Sequence, residues 1–190
     1  MPNDSLDAAY FERVYAGASD PWSFATSPYE AQKYDKTLAS LGERRFARAL
    51  EIGCSIGVFT ERLAGRCDEL VAVDINERAL AEARKRCARR PNVTFAHMVL
   101  PHDFPNGGFD LIVLSEVGYY WSDDDLALAR DRFVRAAPGG TLELVHFLPD
   151  VADYVRSGDA VHEIFLADDR FESVRSHRDE SYRIDVLSIR

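Results

Sequence analysis

The sequence holds no run of eighteen apolar residues, which excludes a segment able to cross a bilayer as a helix, and no membrane partner is expected. Its opening, Met-Pro-Asn-Asp-Ser-Leu-Asp, lacks the basic-then-apolar order of a secretory signal, so a cytoplasmic location is expected. Cysteine is scarce. Cys54, Cys67 and Cys87 are odd in number and contain no Cys-x-x-Cys, which argues against a disulfide framework or a zinc knuckle. Reduced, mostly buried thiols are the expectation. Cations are also few, 23 Lys and Arg against 32 Asp and Glu, for a net charge of −9. A surface of that sign repels phosphate backbones, so no nucleic-acid partner is expected. His97 and His102 span a loop too loosely to suggest metal ligation, and no metal is expected.

What the chain does have is enough apolar residue for a core, 46% over 190 residues, which excludes a disordered or low-complexity protein. That length predicts one compact domain with a small appendage. Residues 1–45 read as a helical N-terminal cap. Tyr10, Phe11 and Tyr15 fall at near-helical spacing, Asp20-Pro21-Trp22-Ser23-Phe24 and Ser27-Pro28 interrupt, and a second helix runs from Tyr29 to Leu41. Residues 46–190 read as the core. Strands are expected at Phe46–Ile52, Glu69–Val73, Val93–Met98, Phe109–Leu114 and Thr141–Phe147, with helices at Val58–Leu63 and Asn76–Arg90 between them. A further helix, capped by Asp123-Asp124-Asp125, runs to Ala136. Two late runs, Phe171–His177 and Tyr182–Ile189, read as a closing strand pair. Alternation of strand and helix predicts an open parallel α/β sheet with helices on both faces, and ligands belong at the edge carrying the strands' C-terminal ends.

At that edge the informative motif is Glu51-Ile-Gly53-Cys54-Ser-Ile-Gly57, with Asp74 ending the next strand. A glycine turn exposes backbone N–H groups to a ligand, and a carboxylate at the second strand end can accept both hydroxyls of a ribose. The G-x-G-x-x-G spacing of dinucleotide proteins is absent. Glu51, before the first glycine, disfavours a pyrophosphate and suits the ammonium of an amino-acid-bearing cofactor.

These residues resemble the first two motifs of the class I methyltransferases that use S-adenosyl-L-methionine. The likeness continues through Phe109-Asp110-Leu-Ile-Val-Leu-Ser115-Glu116 and Pro138-Gly139-Gly140. Within that superfamily, the stretch from Asp20-Pro21-Trp22 through Tyr29-Glu30 to Lys33-Tyr34-Asp35, with Leu114-Ser115-Glu116-Val117-Gly118-Tyr119-Tyr120, resembles the NodS group of nodulation methyltransferases. The resemblance implies a Rossmann-like seven-stranded sheet, S-adenosyl-L-methionine as cofactor, and N-methylation of the free amine of a glucosamine-containing small molecule. It also implies that Glu51, Gly53, Cys54, Gly57, Asp74, Ile75, Met98, Val99, Leu100 and Ser115 line the cofactor site, under a cap carrying Trp22, Tyr29 and Tyr34. Those aromatics are equally readable as core. Val99 stands where the family often carries an acidic residue for the adenine amino group, a departure for which a backbone carbonyl or Asp103 could substitute.

Methyl transfer to an amine needs a base for the ammonium proton. Glu116 and His146 are the candidates at strand ends, and Tyr119 lines the acceptor side. His146 reads equally as a hydrogen-bonded structural histidine. O-methylation and a non-catalytic ligand-binding role are the competing readings. The basic stretch from Arg84 to Arg90 is expected to offset a helix C-terminal dipole at the surface.

Overall fold

The computed structural model describes residues 4–190. Contacts divide the chain into two compact units, Asp7–Val99 and Leu100–Arg190, the latter joined by the described residues before Asp7. That division falls elsewhere than position 45, because the first two helices pack with the strands that follow them.

The first unit begins with α1 (Ala8–Gly17) and α2 (Pro28–Ser40). Asp7 caps α1 by accepting the Tyr10 N–H at 2.9 Å, and Ser27 caps α2 with Pro28 in its first turn. Between them Asp20 accepts the N–H groups of Phe24 and Ala25 at 2.8 and 2.9 Å, which folds the proline-bearing connector into a turn. Then come β1 (Phe46–Ile52), α3 (Val58–Leu63), β2 (Cys67–Asp74), α4 (Glu77–Arg86) and β3 (Val93–His97). Both β1–β2 and β2–β3 are parallel. Helix α4 stops four residues short of the expected Arg90, and Asn76 is its cap rather than its first residue. Its last turn, Arg84-Lys85-Arg86, lies where cations offset the helix dipole.

The second unit holds β4 (Leu111–Ser115), α5 (Asp123–Ala136), β5 (Thr141–Phe147), α6 (Gly158–Leu166), β6 (Phe171–Arg178) and β7 (Tyr182–Ile189). Pairing is parallel for β4–β5 and antiparallel for β5–β7 and β6–β7. Ser122, not the aspartate run, caps α5, and Asp123-Asp124-Asp125 fill the first turn, where carboxylates favour the dipole. Strand β4 begins two residues later than expected, since Phe109 and Asp110 still belong to the approaching turn. Helix α6, capped by Ser157, has no counterpart in the sequence reading.

The strand order is β3-β2-β1-β4-β5-β7-β6, the seven-stranded sheet the resemblance implies. Leu111–Leu114 are wholly buried, as a strand covered on both faces requires. Phe133 stacks on Phe165 at 5.9 Å, which in turn meets Phe171 edge-on at 5.3 Å, so α5, α6 and β6 share one apolar layer. Each such fully buried ring or leucine contributes about 1.5–3 kcal/mol relative to exposure. Among the described residues, no helix is long and apolar enough to cross a membrane.

Candidate functional site

Strand β1 delivers Glu51, only 2% exposed, to the turn that follows it. Gly53 and Gly57 take left-handed φ values of 82° and 79°, and Ser55 one of 47°. The N–H groups of Gly53 and Cys54 both donate to the Val73 carbonyl, at 2.9 and 3.1 Å, folding the turn over the end of β2. A Cβ on Gly57 would lie 2.9 Å from the Cα and Cβ of Ala83, so only glycine lets α3 start this close to α4. Asp74 closes the structure: Oδ2 accepts the Ser55 N–H at 2.8 Å and Oδ1 the Asn76 N–H at 2.9 Å. Those bonds use two of a carboxylate's roughly four acceptor positions, which leaves capacity for a pair of ligand hydroxyls.

Electrostatically the turn is anionic and dry. Burial pushes the Glu51 carboxyl up to about 8; the Thr60 hydroxyl opposes this and the Asp74 charge adds to it. Burial likewise raises Asp74 to about 6, against the amide bonds from Asn76 and Ser55 and the neighbouring His97. Glu51 Oε2 is buried with no hydrogen-bond partner among the described residues. An unsatisfied buried acceptor of this kind costs about 1–3 kcal/mol, an expense that a cationic ligand group would offset.

The helices before β1 reach this turn unequally. Tyr15 of α1 hydrogen-bonds Ser55 through its hydroxyl at 2.6 Å, and Glu12 accepts the Asn76 side-chain amide at 3.2 Å. Trp22 meets Tyr15 edge-on at 5.5 Å, stacks on Phe24, and packs with Ile56 and Ala79, so it belongs to the layer against the glycine turn. Tyr34 instead stacks on Phe59 of α3, with the Arg62 guanidinium over its ring, while Lys33 lies over the ring of Tyr29. Tyr15 was missed as a site residue; its place on the Phe11–Tyr15 stripe was the available signal. Beyond β3, the Met98 N–H donates to the Asp74 carbonyl at 3.1 Å, which sets Ile75, Met98 and Val99, all half-buried, beside the end of β2. His97 donates from Nε2 to the Ile75 carbonyl at 2.8 Å. Leu100 and Ser115 belong to the second unit.

In that second unit β4 ends at Ser115, and Glu116 follows with φ of 58°, a left-handed conformation costly for a residue with a side chain. Tertiary bonds hold it there. Its N–H donates to the Val145 carbonyl, and its Oε2 accepts both the Tyr119 hydroxyl at 2.7 Å and the Phe147 N–H at 2.9 Å. Burial, then the Glu116 charge, pushes the Tyr119 phenol well above its ordinary range, so Tyr119 is a fixed donor. Its ring stacks on Tyr154 at 3.9 Å and meets Tyr120 and His146 edge-on.

His146, considered from the sequence as a base at the strand end, is wholly buried, and both ring nitrogens are engaged. The Gly118 N–H donates to Nε2 at 3.1 Å, while Nδ1 lies 3.0 Å from Nε2 of His162. The sequence reading did not include His162. Among the described residues, no three His, Cys, Asp or Glu side chains group as metal ligands.

The model of the Nodulation protein S (NodS) family matches residues 9–135. Nodulation protein S of Rhizobium tropici is 34% identical over 128 residues, 66% of this chain and 54% of that protein. Its counterpart in Bradyrhizobium diazoefficiens is 36% identical over 126 residues, 65% of this chain and 60% of that one. The chain therefore spans between about half and three-fifths of these relatives. The crystal structure of N-methyltransferase NodS from Bradyrhizobium japonicum WM9, in complex with S-adenosyl-L-homocysteine, superposes with a TM-score of 0.83 at 28% identity, covering 96% of this chain and 97% of that one. With the family match running from α1 into α5, through the glycine turn, Asp74 and Glu116, the chain belongs to the NodS family.

Proposed function

We propose that the chain is an S-adenosyl-L-methionine-dependent methyltransferase that N-methylates the free amine of a glucosamine-containing acceptor. The observation that carries the reading is the glycine turn flanked by two buried carboxyls, in a chain similar throughout to an N-methyltransferase structure with S-adenosyl-L-homocysteine. The cofactor fits the donor set. Its ammonium answers the unsatisfied Glu51 Oε2, its ribose hydroxyls match the remaining acceptor capacity of Asp74, and the left-handed glycines let it approach the backbone.

When bound, the cofactor supplies an electrophilic methyl group on a sulfonium sulfur. The chain's own work is to hold donor and acceptor in line and to exclude water. An amine is protonated at neutral pH and attacks only after losing that proton. The Glu116 carboxylate is assigned to receive it, with its orientation set by the Tyr119 hydroxyl and the Phe147 amide. His146 takes a positioning role here, because its nitrogens are already committed.

The test supplies the protein with cofactor and glucosamine oligomers, free or fully acetylated, and follows methyl incorporation by mass spectrometry. Transfer to the free amines alone is expected. Transfer to acetylated oligomers would indicate oxygen as the acceptor, and failure to bind S-adenosyl-L-homocysteine at millimolar supply would overturn the assignment.

A further inference from the structure

The second unit contains a buried hydrogen-bonded chain whose direction is fixed by one backbone amide. The Gly118 N–H can only donate, so His146 Nε2 must be a bare acceptor and its proton must sit on Nδ1. That proton points at His162 Nε2, 3.0 Å away, which must then also be bare. His162 carries its proton on Nδ1 and donates it to Asp185 Oδ2 at 2.7 Å. All three side chains are 0% exposed. At the far end, Arg183 Nε lies 2.8 Å from Asp185 Oδ2, which balances the carboxylate, and the same guanidinium reaches Glu163 at 2.6 Å and Asp159 at 3.3 Å.

The backbone is shaped around this chain. A Cβ on Gly118 would lie 2.9 Å from His146 Nε2 and 2.6 Å from Val161 Cγ1, so the amide reaches the imidazole only because residue 118 has no side chain. A Cβ on Gly158, at the start of α6, would lie 3.0 Å from His146 Cβ and 2.3 Å from the Phe147 carbonyl oxygen. The amide that receives this support belongs to the turn between Glu116 and Tyr119, the pair joined at 2.7 Å.

We infer that His162 and Asp185 are positioning residues for the acceptor side: through His146 and the Gly118 amide they hold the turn that sets Tyr119 against Glu116. The inference rests on the methyltransferase reading for its kinetic consequence, though not for its structural one. Two neutral imidazoles suit the task, since a proton added to either ring would leave two N–H groups facing each other in the dry interior. Burial pushes His162 down as an acid, against the pull of Asp185. The charged groups around the chain are Asp185 and Arg183 on β7, Asp159 and Glu163 on α6, and Glu116 after β4.

The first test needs no substrate. Long-range proton–nitrogen spectra of the whole protein with nitrogen-15 histidine should show two rings protonated at Nδ1 and bare at Nε2, unchanged between pH 7 and about pH 5.5. A ring protonated at Nε2, or an imidazolium, at His146 or His162 would overturn the chain. The second test is kinetic. His162→Phe should keep affinity for S-adenosyl-L-homocysteine within about twofold while kcat on glucosamine oligomers falls at least about tenfold. His162→Gln, whose amide oxygen can accept the His146 proton, should recover most of that loss. Wild-type kcat in a folded His162→Phe protein would overturn the positioning role and leave the methyltransferase reading standing. Should the wild-type protein transfer no methyl group, that reading fails with the kinetic role, and the imidazole spectra alone decide the chain.

Discussion

Asp74 Oδ2 accepts the Ser55 backbone N–H at 2.8 Å, so the carboxylate at the end of β2 also shapes the glycine turn after β1. One side chain thus builds the cradle and offers its remaining acceptor positions to a ligand. Asp74→Ala is expected to weaken S-adenosyl-L-homocysteine binding by about 1–3 kcal/mol, roughly 5- to 150-fold, through loss of hydrogen bonds to a charged group. Titration calorimetry checks this, and unchanged affinity would remove Asp74 from the site.

Glu51 sets a pH dependence. Its folded-state value of about 8 lies above the ordinary 4.5, so the folded, ligand-free protein prefers the protonated acid. That preference stabilises the fold fully below about pH 4.5 and is lost as pH rises through about 8. Binding a cation should work in the opposite direction, since it favours the ionised form. Affinity for S-adenosyl-L-homocysteine is expected to rise from pH 6 to 8 with proton release, and Glu51→Gln should flatten both trends. Calorimetry in buffers of different ionisation enthalpy reads the released proton directly; identical profiles for the two proteins would remove Glu51 from the linkage.

Glu116→Gln tests the acceptor side. The amide oxygen can still accept from Tyr119 and Phe147, which preserves the turn, but it cannot take up a proton. Turnover on glucosamine oligomers should fall by about 10²-fold or more, the range for loss of a general base, with cofactor affinity held within about twofold. Wild-type turnover in this variant would exclude Glu116 as the base.

Much of this was legible in the chain because it rests on local patterns. The run Phe46–Ile52, the Gly53–Gly57 turn and Asp74 at a strand end are consequences of residue type and spacing, and each lies where the sequence places it. Helix α6 was not seen because loop-forming residues surround it. Its cues were Ser157 as a cap, Asp159 in the first turn, and Val161 with Phe165 one turn apart. Missing α6 meant missing His162, and with it the role of His146.

By itself the sequence determined the strand–helix alternation, the glycine turn and the two carboxylates beside it, because left-handed backbone and strand-end charge are properties of residues and their immediate neighbours. The tertiary structure alone decided which side chains complete the machinery. Tyr15 meets Ser55 forty positions away, and His146, His162 and Asp185 come from β5, α6 and β7. No local propensity encodes such partners: buried polar atoms find one another only when the packing of distant elements excludes water and leaves them no other bond.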